Sequence, residues 1–167
     1  GTNHTPVSEF VHYSPLRAKW FERLFVSYNT WFYGRADFVS SPANAILEEM
    51  EQYGFKKPAR AVSNPLSLET FFPTKNKKEL KEKFGLSSFT VLYAGRLAPE
   101  KRIDLVLKAA ALAREQVPDI TVGIVGRGTD EAKLRALAET LGITSRVKFF
   151  GFVKEYKDFA EIYNPSE

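Results

Sequence analysis

The chain has 167 residues, 44% apolar and 26% charged, with a formal net charge of +4; this is the composition of an ordinary globular domain rather than of a disordered or fibrous chain. It contains no cysteine, which excludes a disulfide framework and a thiolate metal site and fits the cytoplasm. No run of about eighteen apolar residues and no signal-peptide pattern occurs in these residues, so the sequence predicts no membrane-spanning helix.

The charge is uneven along the chain. Residues 1–72 hold seven basic and seven acidic side chains, whereas residues 73–167 hold seventeen and thirteen. An excess of that size suits an anionic ligand or an acidic membrane surface, and it is too small to indicate a nucleic-acid binder.

In chain order, "GTNHTP" (1–6) places His4 between small polar residues and a proline. Next, Leu16, Trp20, Phe21, Leu24, Phe25, Tyr28, Trp31 and Phe32 recur at helical spacing and predict one wide apolar stripe, with Arg17, Lys19 and Arg23 beside it. The commoner use of such a stripe is packing into a core; the other is an anionic membrane surface. "ADFVSS" (36–41) predicts a short strand, and "PANAILEEMEQYGF" (42–55) a helix opened by Pro42 and stopped by Gly54. "RAVSNPLSLETFFP" (60–73) predicts a strand running into an Asn-Pro turn and an extended linker, before the charged helix in "TKNKKELKEKFGL" (74–86).

A regular alternation follows. "FTVLYAG" (89–95), "ITVGIVG" (120–126) and "RVKFFGFV" (146–153) are apolar runs rich in strand formers. Helical patterns follow each of them at 102–116, after Thr129 as N-cap candidate, and in "EYKDFAEIYN" (155–164). Strands without polar alternation, each followed by a helix, predict a parallel sheet covered on both faces. Only three strand–helix units are present, fewer than a doubly wound domain uses. The chain lacks an initiator Met. The expectation is therefore an internal segment of a longer protein, lacking both ends.

Ligands bind open parallel sheets at the carboxyl ends of the strands, where helix N-termini offer unpaired N–H groups suited to phosphate. "GRLAPEK" (95–101) adds Arg96 and Lys101 at that edge, with Gly95 allowing close backbone approach. The alternative is that both cations are solvated loop charges. "VGRGTDEAKL" (125–134) repeats the arrangement with Gly126 and Gly128. It lacks the third glycine of the dinucleotide fingerprint, and no phosphate-binding GxxxxGK[ST] occurs anywhere. A plain tight turn is the alternative there, and the aromatic strand end "FFGFV" (149–153) decides nothing alone.

Together these segments resemble the retaining glycosyltransferases of family 4, the "group 1" enzymes of GT-B fold. The resemblance rests on "LYAGRLAPEKRIDLVLKAAALA", "ITVGIVGRGTDEAKLRALAETLG", "RVKFFGFV" and "FAEIYN", in that order, with "RADFVSSPANAILEEMEQYG", "VSNPLSLETFFP" and "TNHTP" before them. It implies an α/β chain of GT-B type: a partial Rossmann-like parallel sheet with helices on both faces, preceded by a mainly helical end of the N-terminal domain. Residues 1–63 would close the acceptor-side domain, 64–75 would link, and 76–167 would begin the domain that binds the nucleotide sugar.

The resemblance also implies roles. Arg96 and Lys101, with Gly95, match the cradle of the donor diphosphate; Gly126 and Gly128 the second nucleotide loop; Val153 and Lys154 the loop that meets the base. His4 matches the histidine near the donor sugar and the attacking hydroxyl. The implied reaction moves a sugar from a UDP- or GDP-sugar to a carbohydrate or lipid hydroxyl with retention. It uses no metal and no cofactor, in the cytoplasm or at the inner face of a membrane, with no nucleic-acid partner. A GT-B sugar-nucleotide epimerase and a non-catalytic nucleotide-diphosphate binding module remain open alternatives. Departures exist: Pro65 and Ser67 replace the commoner Gly and Asp, and Arg102 stands where many members have Gly. The family's glycine-rich loop and Glu-x7-Glu motif are not in this sequence, so the segment is not expected to be active alone.

Overall fold

The computed structural model describes Thr2 and residues 19–165. The chain divides into two compact units, residues 1–66 and 67–167.

The first unit contains α1 (Lys19–Tyr33), β1 (Val39–Ser41), α2 (Asn44–Gln52) and β2 (Ala59–Ala61). The two short strands pair in parallel, Val39 opposite Ala59 and Ser41 opposite Ala61, so α2 is the crossover that parallel pairing requires. Its core is Val39, Leu47, Met50 and Phe55, with Tyr33, Ala36 and Ala59 packed around them. Thr2 bridges to Ser40 in parallel, and the Tyr33 hydroxyl donates to the Thr2 carbonyl at 3.2 Å. The unit is mainly helical, as expected, with one short parallel strand pair beside its two helices.

The sequence stripe on α1 behaves differently from a core stripe. Val26 and Thr30 are the buried positions, whereas Trp20 is 60% exposed, and Leu24, Tyr28, Trp31 and Phe32 are exposed with it. The residues at 26, 30 and 33 form their own row at helical spacing, and that is the row on the covered side, with Tyr33 on the β1 core. The larger aromatics lie on the other rows.

The second unit contains α3 (Lys77–Phe84), β3 (Thr90–Ala94), α4 (Ile103–Ala113), β4 (Thr121–Val125), α5 (Glu131–Thr140), β5 (Val147–Gly151) and α6 (Tyr156–Tyr163). The strands pair in parallel in the order β3-β4-β5. Thr90 to Ala94 run opposite Thr121 to Val125, and a register shift between Ile124 and Val125 leaves Phe150 as the extra residue of β5. One sheet face packs Val122, Ile124 and Val147 against Ile103, Leu107 and Ala110 of α4 and Leu134 and Ala138 of α5. On the other face Gly123 leaves room for Leu92, Phe150 and Leu86, and Phe84 meets Phe150 edge-on at 5.8 Å. Both faces are covered, which is why the strands are apolar without alternation. Ahead of α3, Phe71 packs edge-on against Tyr156 and Phe159 of α6.

Two local features differ from expectation. The N-cap of α5 is Asp130, one residue beyond Thr129, and it makes no side-chain capping bond. Arg102, where the family resemblance leads one to expect glycine, caps α4 with left-handed φ 49° and ψ 40°. Its guanidinium Nε donates to Asp104 Oδ1 at 3.1 Å. With Lys108, it holds the Asp104 carboxyl down to about 2.

A side chain with Cβ in the left-handed region is disfavoured by roughly 1–2 kcal/mol. Arg102→Gly and Arg102→Ala both remove the exposed ion pair, but only glycine relieves the backbone. Urea unfolding should find Arg102→Gly more stable than Arg102→Ala by about 1 kcal/mol, the reverse of their usual order. Equal stabilities would contradict a left-handed Arg102.

Candidate functional site

The loops after β3, β4 and β5 meet at one edge of the sheet and enclose a cavity of about 570 Å³. Ala94, Gly95 and Arg96 line it from the first loop, Val125, Gly126 and Arg127 from the second, and Phe152 to Tyr156 with Phe159 from the third. Hydrogen bonds continue past the strand ends and pin these loops to one another. Gly95 N donates to Val125 O at 2.9 Å, Leu97 N to Arg127 O at 3.0 Å, Gly126 N to Gly151 O at 2.7 Å and Asp130 N to Leu97 O at 3.1 Å.

Glycine is required at two points of this seam. Gly126 has φ 136°, and a Cβ there would overlap the Gly95 carbonyl; a Cβ on Gly128 would overlap the Leu97 carbonyl. The Gly-x-Gly of the sequence is thus a place where two loops touch backbone to backbone.

The loop after β3 is further fixed from below. The Tyr93 hydroxyl donates to the Arg96 carbonyl at 2.9 Å. Burial pushes the Tyr93 phenol above its ordinary value, Glu100 adds to the shift and Arg96 opposes it. Tyr93 therefore stays protonated and able to donate at neutral pH. Arg96 Nη2 lies 3.3 Å from Glu100 Oε1, with the arginine side chain 65% exposed. An exposed pair of this kind contributes about 0–1 kcal/mol, so an anion in the cavity can displace it.

Of the residues singled out in the sequence, Gly95, Arg96, Gly126, Val153 and Lys154 come together around the cavity. Gly128 lies against the Leu97 carbonyl. Lys101 is exposed in the 3-10 turn Pro99–Lys101 and does not line the cavity. His4 lies outside the described residues. Sequence reasoning passed over Arg127, Tyr93 and the α6 aromatics Tyr156 and Phe159. The signal for Arg127 was present, because it directly follows a strand-ending glycine; Tyr93 reads as one more apolar strand residue.

The family model for glycosyl transferases group 1 matches residues 74–167. The chain belongs to that family. Among relatives, a UDP-N-acetylglucosamine–peptide N-acetylglucosaminyltransferase GtfA subunit of Streptococcus gordonii is 32% identical over 71% of this chain and 21% of its own length. A mannosylfructose-phosphate synthase of Agrobacterium fabrum is 26% identical over 81% of this chain and 32% of its own length. The chain therefore spans about a sixth to a third of the length of the curated relatives it matches. The crystal structure of Anabaena HepE in complex with UDP and glucose is similar with a TM-score of 0.75 at 19% identity, over 99% of this chain and 44% of that one. Sucrose-phosphate synthase from Thermosynechococcus elongatus gives 0.75 at 19% identity, over 99% and 42%. At such identities the likeness shows the fold, and the fold is that of GT-B glycosyltransferases.

The seam makes a direct prediction for this group 1 chain. Gly126→Ala combines a strained φ with a backbone overlap, so it should lower unfolding stability by at least about 2 kcal/mol. Denaturant unfolding read by fluorescence measures this; a loss below about 0.5 kcal/mol would show that the two loops do not touch.

Proposed function

We propose that this chain is part of a retaining glycosyltransferase that takes its sugar from a nucleoside-diphosphate donor, and that the cavity at the β3-β4-β5 edge receives the nucleotide. Residues 76–167 would begin the donor domain and residues 1–63 would end the acceptor-side domain, with 64–75 between them. The observation that carries this reading is the convergence of Arg96 and Lys154 on a cavity at the carboxyl edge of a parallel sheet, in a chain whose family is glycosyl transferases group 1. The relatives' names point the same way: one transfers N-acetylglucosamine from UDP, and a structural neighbour holds UDP and glucose. Neither name suits an epimerase or a bare binding module.

In the reaction the bond between the sugar's anomeric carbon and the diphosphate oxygen breaks. A bond to the acceptor hydroxyl oxygen forms on the same face, and the acceptor's proton passes to the departing phosphate. Arg96 would take a diphosphate oxygen bidentately, giving up Glu100, and Lys101 would swing in as a flexible point charge. Their two positive charges offset the charge that grows on the leaving group, a role a divalent metal fills in other transferases; a donor already in place, as Arg96 is, is worth about 3–4 kcal/mol. His4 would stand near the sugar and the attacking hydroxyl.

Thermal-shift and calorimetric titration in EDTA tests this reading with UDP, GDP and UMP. A diphosphate at a hundred times its dissociation constant should stabilise the chain by about 2.7 kcal/mol. UMP should bind more weakly, and Arg96→Ala with Lys101→Ala should lose the effect. Undiminished binding by the double variant would overturn the cradle.

For the acceptor we propose a hydroxyl carried on a lipid or envelope glycan, reached at an anionic membrane surface. The supporting observation is the exposed aromatic face of α1, with Trp20, Tyr28 and Trp31 outward and the Arg35 guanidinium 4.3 Å from the Trp31 ring centroid. Aromatic and basic side chains together are the makings of an interfacial helix. Among the described residues no helix is long and apolar enough to cross a membrane. Trp20→Ser with Trp31→Ser should cut binding to phosphatidylserine-containing vesicles at least about fivefold at an unchanged melting temperature. Unchanged vesicle binding would exclude this face.

A further inference from the structure

Each strand of the second unit sends one cation to the cavity: Arg96 after β3, Arg127 after β4 and Lys154 after β5. The donor reading above uses the first and the last. Arg127 has no role in it, yet its placement is the most constrained of the three. Its own carbonyl accepts from Leu97 N at 3.0 Å, and the residue before it donates to Gly151 O at 2.7 Å. Glycines stand on both sides of it, each against the backbone of the β3 loop. The side chain is exposed, and it makes no hydrogen bond or ion pair to another described residue.

The direction of the side chain matters. A Cβ built on Gly151 would lie 3.8 Å from Arg127 Nε and 4.0 Å from Nη2. The guanidinium therefore leans from β4 over the end of β5. It lies on the side of Val153 and Lys154, away from the loop that carries Arg96. Phe152 and Tyr156 continue the same wall, so a planar ring can lie there with its polar edge facing the guanidinium.

Resting on the donor reading, we propose that Arg127 selects the base of the donor nucleotide. A guanidinium has donors only, so at a base edge it favours an exocyclic carbonyl and opposes an exocyclic amino group. Uracil and guanine present that carbonyl; cytosine and adenine present an amino group at the same ring position. A site that hydrogen-bonds one group rejects the analogue that cannot reciprocate far more strongly than an apolar pocket does. On guanine a guanidinium can take O6 and N7 together, the commonest specific arginine–base contact, whereas on uracil it can take O4 alone.

The experiment compares pairs that exchange one ring carbonyl for an amino group, on the 167-residue chain: UDP with CDP, IDP with ADP, and inorganic pyrophosphate as the base-free control. For the oxo base that binds, its amino counterpart should bind at least about tenfold more weakly. Arg127→Ala should shrink that ratio to within about threefold while leaving pyrophosphate affinity and the ligand-free melting temperature unchanged. Three results would overturn the proposal. The wild type does not discriminate within either pair; the variant keeps the full ratio; or UDP and pyrophosphate weaken by the same factor, which makes Arg127 a phosphate ligand. If the wild type binds no nucleoside diphosphate at all, the donor reading fails first and base selection fails with it.

Discussion

The second unit is organised by a seam of backbone hydrogen bonds beyond the ends of its strands. Gly95 N to Val125 O, Leu97 N to Arg127 O and Gly126 N to Gly151 O carry the ladder of the parallel sheet into its loops. Loops normally satisfy their backbone groups with water and are free to move. Here each loop satisfies its neighbour, so side chains projecting from them inherit the rigidity of the sheet. The two walls formed by the loops after β3 and β4 are therefore preformed, and binding in the cavity does not have to order them first.

The charges in this cavity are arranged for exchange rather than for stability. The Arg96–Glu100 pair is largely exposed, so it adds little to folding. It does keep the guanidinium near its post until a stronger anion arrives. Tyr93 serves the same end from inside the unit. Its hydroxyl grips the Arg96 carbonyl, which fixes the backbone while leaving the side chain free to turn. Backbone held and side chain released would suit the diphosphate contact proposed for Arg96.

Much of this was legible in the sequence because the second unit obeys simple periodicities. Three apolar runs separated by helical spacing have few ways to bury their faces, and the parallel sheet with α4 and α5 on one side is the outcome. The glycine loops were legible as turns; their contact with each other was not, since touching loops leave no periodic trace. The place of Arg127 after a strand-ending glycine was legible, whereas the lean of its side chain over Gly151 was not. The use of the stripe on α1 was not legible, because hydrophobic spacing names a face without naming its neighbour; among the described residues the buried positions of that helix are Val26 and Thr30. Arg102 shows the converse. Its departure from glycine was visible in the sequence, and the structure shows what that departure costs in backbone conformation.

The strand order β3-β4-β5 also bears on how the second unit comes into being. Every strand pairs with the one that precedes it in the chain, Thr90 with Thr121 and Val122 with Val147. Among the described residues each of these pairings closes over a single intervening helix, and the entropic cost of such a closure grows only slowly with its length. A chain emerging from the ribosome can lay down one strand and its helix, then add the next pair to a finished edge. Assembly of these three strands and construction of the cavity between their ends are then one directional process, each wall being set as its strand docks.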